Sequence, residues 1–339
     1  MISGALVGLT LIVIAVGGII RIYDAGESCP DWPTCFGTWG FEISESEQEK
    51  WYNENPHEMD SRGSSHRYTS FQIFTEWFHR ILAGAILGPL VIINWILVRK
   101  EEHIDSRVYL ASHASLLLIL WQGFVGWLTV EMDNKNWSVA IHLISALAFT
   151  MSLIWIWLLL TKIENKTPKW LDYDPFFSNK WRKKIGLLAI IALFSLFTGT
   201  FVSTTPGANN GCSVDGFPDS WPLCGGVLIK PIEDIALESQ IVHRWIVGIV
   251  GTIMLGASYF VWKESIEDGF GKIIRNWIWF STALYLANSV IGAAYIISWD
   301  FDEGFFEFLS LIHLLLASIT FLSLATAWLN CTITANRGD

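Results

Sequence analysis

An all-α integral membrane protein of eight transmembrane helices, arranged as two parallel-repeat four-helix bundles, is the fold this sequence predicts. Three observations carry the reading. Charged residues are 16% of the 339, against about 25% in typical soluble domains. They gather between eight apolar runs, each near the ~20 residues that cross a hydrocarbon core. Motifs in the first four runs return, in the same order, in the last four.

The runs are 1–20, 71–98, 108–130, 139–160, 185–202, 241–262, 273–297 and 305–329. In lipid the backbone must satisfy its own hydrogen bonds, so helices are the expected form. The first run is long and lacks a positively charged leader and a small-residue cleavage site, so it reads as a membrane helix and not a secretory signal. No Arg-rich, acid-poor leader for mitochondrial import precedes it. Most of the 22 basic residues fall in segments on one side, among them Arg99, Lys100, Lys180, Arg182, Lys183, Lys184, Arg275 and Arg337. Arg21, Lys50, Arg62, Arg67, Lys135 and Lys230 fall on the other. The positive-inside rule then places both termini in the cytoplasm of a prokaryotic cell. The net charge of −10 reflects acidic outer loops such as 42–60 and suits no nucleic acid.

Residues 1–161 read as the first repeat and 183–339 as the second, joined by a polar cytoplasmic linker, 162–182, that carries Pro168 and Pro175. In the first, Gly17-Gly18 and Arg21 close the opening helix and Cys29-Pro30-Asp31-Trp32-Pro33-Thr34-Cys35 follows. Then come Glu76, His79 and Arg80, the stretch Gln122-Gly123-Phe124-Val125-Gly126, and His142. The second repeat runs Gly199, Cys212, Pro218-Asp219-Ser220-Trp221-Pro222-Leu223-Cys224, then Gln240, His243 and Arg244, Gly292 and His313. An even number of helices per copy keeps both copies in one orientation. Two departures break the symmetry. A polar insertion at about 42–70 swells the first outer loop and is expected to be a solvated, partly mobile excursion without chemistry. Eleven residues separate Cys212 from Cys224, against five between Cys29 and Cys35.

Four histidines hold the chemistry. His79 and His142 sit on runs that both pass from outside to inside, roughly 8–12 Å below the outer surface at 1.5 Å per residue, and His243 and His313 repeat the arrangement. Two imidazoles at matching depth on facing helices can ligate one flat macrocycle from both sides, and His is a standard axial ligand of heme iron. Each pair therefore reads as a heme site opening towards the outer face. Zinc is disfavoured, because no third or fourth ligand lies at the usual short spacing. His57, His66 and His103 are expected to be solvated, and His113 to be a packing residue.

Glu76 shares a helix face with His79, and an intramembrane carboxylate is a functional residue by default. Its alternative is a structural ion pair with Arg80. Arg80 and Arg244 suit heme propionates or structural pairing, and Arg21 either a propionate or the lipid headgroups. Cys29–Cys35 and Cys212–Cys224, in outer loops, are expected disulfides, either staples over the pockets or exchange-prone redox bonds. Cys331 stands alone on the inner side.

Taken together these residues resemble the heme A synthase family over nearly the whole chain outside the insertion. The likeness rests on Gly17-Gly18-Ile19-Ile20-Arg21, the Cys-Pro-Asp-Trp-Pro-x-Cys loop, Glu-x-x-His-Arg, residues 122–129 and Gly199-Thr200-Phe201-Val202. It implies oxidation of the C8 methyl of heme O to a formyl group, through hydroxymethyl and hydrated-aldehyde stages, to make heme A for terminal oxidases. It further implies that His79 and His142 bind the substrate heme, that His243 and His313 hold a permanent heme b, and that Glu76, Cys29 and Cys35 are catalytically important. The longer Cys212–Cys224 spacing departs from the family pattern. The implied partners are membrane lipid, heme O handed over by a heme O synthase and an electron donor of unspecified identity, with homo-oligomerisation an option. Three other readings use the same features: a diheme b-type electron-transfer cytochrome, a transporter with parallel repeats, and a thiol-oxidising membrane protein.

Overall fold

The structure, a computed structural model, describes residues 2–63, 65–101, 103–232, 234–302 and 304–335, apart from the side chains of Asp300 and Asp302. Both chain ends, with Arg337 among them, lie outside the described residues. Among the described residues the regular structure is helical, save for isolated bridges at Cys35–Thr38 and Cys224–Val227.

Among the described residues, eight helices are long and apolar enough to span a membrane: α1 (Ser3–Ile22), α3 (Ser70–Lys100), α4 (Ser106–Glu131), α5 (Asn136–Ile163), α6 (Pro175–Thr204), α7 (Ile235–Glu267), α8 (Lys272–Ile297) and α9 (Glu307–Ala335). The chain is an integral membrane protein. A ninth, polar helix, α2 (Glu45–Glu54), lies between the first two spans.

Several helices outrun the apolar segments from which they were inferred. The Asp174 carboxylate caps α6 by accepting from the Phe177 N–H at 2.8 Å, and Pro175 supplies a first position that needs no donor. The latter part of the 162–182 segment is therefore helix. Lys180 and Lys184 on that extension pair with Asp268 at 2.6 Å and Glu264 at 3.0 Å on the equally extended end of α7. Helix α3 opens on a capping box between Thr69 and Gln72. It widens to a π-helix over Ile81–Leu87, where the Gly88 N–H reaches back to the Ala83 carbonyl. Pro89 follows at once and has no N–H to give the regular ladder, which accounts for the local irregularity.

The chain divides into two compact units, one up to Leu153 and one from Ile154 onward. In the first, α3 packs against α1 and α4. Gln122 of α4 donates to Ser145 of α5 at 2.5 Å. In the second, α6 and α8 each pack against both α7 and α9.

The insertion at 42–70 corrects its sequence reading. It is folded onto the Cys29–Cys35 loop. Ser44 and Glu47 form a capping box that starts α2. Ile43, Tyr52 and Tyr68 are buried with Cys29, Cys35, Phe36 and Ile73, and Trp51 and Met59 pack on that cluster. Gly37 has φ +71°, and a Cβ there would lie 2.7 Å from the Trp51 ring, so the loop accepts this lid only with glycine at that position. Few residues of the insertion are apolar, but those few face one way. Composition alone hides such an arrangement. His66, expected in solvent, is half-buried and packs edge-on against Tyr68. His57 and His103 are exposed as expected, and His113 packs with Trp95 and Tyr109.

Candidate functional site

All four pocket histidines rest on glycines. A Cβ on Gly17 would lie 3.3 Å from Cε1 of His79, on Gly126 3.5 Å from His142, on Gly199 3.0 Å from His243 and on Gly292 2.7 Å from His313. His243 and His313 thus pack against a neighbouring helix backbone at a distance a side chain would deny them, His79 is nearly as close, and His142 sits at ordinary contact distance. Each is enclosed by protein yet keeps an accessible face.

In the second unit the His243 and His313 ring centres are 6.4 Å apart and their planes cross at 87°. Two metal–imidazole bonds of about 2 Å each, with the ring radii added, fill that separation. Nδ1 of each ring is engaged: His243 with Thr198 Oγ1 at 2.9 Å, His313 with the Asn288 carbonyl at 2.9 Å. Nε2 of each ring is then the nitrogen available to a metal. The donor set fits a single iron held from two sides. No group of three or more His, Cys, Asp or Glu converges among the described residues.

In the first unit His79 and His142 lie within electrostatic reach of each other. Their Nδ1 atoms are both buried without a hydrogen-bond partner. The pair has the same ring type, but the Val13 backbone only approaches the His79 ring and neither Nδ1 is held in full hydrogen-bond geometry.

Glu76 is 4% exposed and is the keystone of the Cys29–Cys35 loop. Oε1 accepts from Arg80 Nη2 at 2.6 Å, and Oε2 accepts from Ser28 Oγ at 3.0 Å and from the Cys29 N–H at 2.9 Å. A carboxylate offers about four lone-pair directions, so one remains. Arg80 also donates to the carbonyls of Cys29, at 2.7 Å, Thr34, at 2.6 Å, and Asp31. Ion pair and loop anchor are one structure. The disulfide beneath it joins Cys29, 0% exposed, to Cys35, 1% exposed.

The second unit departs from this at the same motif. Gln240 turns from Arg244 and donates to the Asn209 carbonyl at 3.0 Å. Arg244 Nη1 donates to the Leu223 carbonyl at 2.9 Å, while Nη2 is buried with no partner. Cys212 and Cys224 are bonded, and the Cys224 N–H donates to the Val227 carbonyl just as Cys35 does to Thr38. The unpaired guanidinium nitrogen suits an anionic oxygen.

Ser28, Thr198 and Asn288 escaped the sequence reading. Each adjoins or precedes a flagged residue, but only through a hydrogen bond that no spacing rule announces. A further cluster lies outside the pockets. Arg62 pairs with Glu27 at 2.6 Å and Asp24 at 2.8 Å, and Asn134 donates to Glu27 at 3.0 Å. Burial pushes the Glu27 carboxyl above its usual range, with Arg62 and Asn134 pulling the other way.

A family model described as cytochrome oxidase assembly protein, COX15-CtaA, matches residues 2–325. Among curated relatives, the heme A synthase of Shouchella clausii is 25% identical over 319 residues, 92% of this chain and 89% of the relative. That of Rhodospirillum centenum is 27% identical over 281 residues, 76% of this chain and 70% of the relative. A third, from Shewanella oneidensis, is 33% identical over 152 residues, 44% of this chain and 42% of the relative.

Proposed function

The chain belongs to the cytochrome oxidase assembly protein family, and from that premise we propose how its residues make heme A. It is a membrane oxidoreductase, a heme A synthase that oxidises the C8 methyl of heme O to a formyl group. The supporting observation is a pair of bis-imidazole sites with unlike surroundings, one fully anchored and one not.

In this reading residues 1–161 and 183–339 are two copies of one four-helix unit joined through 162–182. His243 and His313 hold a permanent heme b, and the free Nη2 of Arg244 meets one of its carboxylates. Bound there, heme b supplies one-electron relay. His79 and His142 hold heme O as substrate, with its methyl edge towards Glu76. Oxidising a methyl to a formyl releases protons, and the remaining lone pair of Glu76 Oε1 can accept one. Arg80 keeps that carboxylate oriented and its charge compensated. The Cys29–Cys35 bond fixes the backbone that Glu76 and Arg80 grip. The distribution of basic segments supports cytoplasmic termini and pockets that open towards the outer face. Heme O then arrives through the membrane from a heme O synthase; the methyl carbon gains one oxygen atom from water and gives up four protons and four electrons, and an oxidant outside the chain takes the electrons.

The deciding experiment extracts hemes from cells that make heme O, with and without this chain, and resolves them by chromatography. A heme A peak that depends on the chain is expected. Retained heme b with unaltered heme O would instead identify an electron-transfer cytochrome.

A further inference from the structure

We propose that Thr198 is a positioning residue that makes one heme a fixture of the protein. Val16, at the matching place in the first unit, leaves the other heme free to depart. The inference rests on the division of labour proposed above and names the residues that produce it.

The two positions correspond by contact as well as by order. Thr198 precedes Gly199, which touches the His243 ring, and Val16 precedes Gly17, which touches the His79 ring. Threonine and valine have nearly the same shape and differ by a hydroxyl against a methyl. The Thr198 hydroxyl has one hydrogen and donates it to the Ser195 carbonyl at 2.8 Å. Towards His243 Nδ1, 2.9 Å away, it can therefore only accept. That fixes the tautomer: the proton sits on Nδ1 and the lone pair on Nε2, available to a metal. The Asn288 carbonyl, which can only accept, imposes the same tautomer on His313.

The first unit has no such hydroxyl. Valine cannot supply one, the Val13 backbone is the group that approaches the His79 ring, and Nδ1 of neither His79 nor His142 has a partner in full hydrogen-bond geometry. An imidazole whose outer N–H is hydrogen-bonded is oriented in advance and is the more basic ligand, and losing such a partner weakens metal binding by about 10–100-fold. A permanent heme gains from that anchoring. A heme that enters as substrate and must leave as product is better served without it.

The test uses full-length protein purified from cells making heme O. Heme release into excess apomyoglobin is followed in time, the remaining hemes are extracted and identified, and the midpoint potential of heme b is titrated. The parent should release heme O and heme A quickly and heme b slowly. Thr198→Val should speed heme b release by about 10–100-fold and move its potential upward, because a less basic ligand favours the ferric state less. Thr198→Ser, which keeps the hydroxyl, should restore both. Val16→Thr should slow release of heme O and heme A while leaving heme b unchanged. Parental heme b release and potential in Thr198→Val, or parental release in Val16→Thr, would overturn the proposal even if the two parental rates differ. Equal parental rates for the two hemes would overturn the division of labour and this proposal with it.

Discussion

Arg80 and Arg244 hold the same place in one motif and are bound in opposite ways. Arg80 spends its donors on Glu76 and three loop carbonyls, whereas Arg244 makes a single bond to Leu223 and keeps a buried nitrogen free. Arg244→Leu should therefore weaken heme b retention by about 10–100-fold, the size of one charge-assisted hydrogen bond of about 1.5–3 kcal/mol, and leave the Cys29–Cys35 loop intact. Arg80→Leu should do the reverse, sparing heme b and loosening the loop. Pyridine hemochrome content against alkylation of Cys29 and Cys35 after a mild dithiothreitol pulse separates the two, and matching effects in both assays would refute the contrast. Glu76→Gln tests the adjoining residue. It keeps the shape but turns one acceptor oxygen into an N–H donor and loses the charge, so heme b content in the other unit should hold while heme A formation falls at least tenfold and heme O or its hydroxylated form accumulates. Heme A at the parental rate would leave Glu76 a loop anchor alone. The motif itself was legible in the sequence, including the Glu-to-Gln change. Which arginine would be satisfied was not, because that depends on where loop carbonyls come to rest.

The insertion is the element that sequence reasoning read least well. Its apolar residues are sparse, and their common direction appears only once α2 is folded over Gly37. Arg62 is its tether, gripping Asp24 and Glu27 from across the loop. Arg62→Ala should expose residues 45–68 to limited proteolysis without lowering heme b content, and a parental cleavage pattern would show the tether to be dispensable. The pH dependence has a definite sign. Burial raises the Glu27 carboxyl above 4.5, so the folded lid holds the proton more tightly than the unfolded chain does. Its contribution is fully present below 4.5 and is lost as pH climbs through the raised value. Measured against Glu27→Gln, which cannot titrate, the parent should lose relative protease resistance as pH rises from 4.5 to neutrality. A difference that stays flat with pH would contradict a buried Glu27.

For the molecule as a whole, the eight spans and four histidines followed from apolar run length and motif recurrence, because both are properties of sequence order. The helix ends did not, since capping by Asp174 and ion pairs at Glu264 extend α6 and α7 past the lipid-facing runs. Nor did the unequal anchoring of the histidines, which rests on single hydroxyl and carbonyl groups. The functional asymmetry is open to direct measurement: His243→Ala or His313→Ala should remove most bound heme b, whereas His79→Ala should spare it, and equal loss from either unit would reject the assignment. The buried disulfide carries a consequence for biogenesis. Cys29 and Cys35 are sealed beneath Trp51, Tyr52 and Tyr68, so neither an oxidant nor a reductant reaches them once the lid has closed. The bond must be made while the loop is still open, and from then on the lid preserves the oxidation state in which the loop happened to fold. Dithiothreitol supplied during synthesis should yield protein with two free thiols there, and the same dose given after folding should yield none.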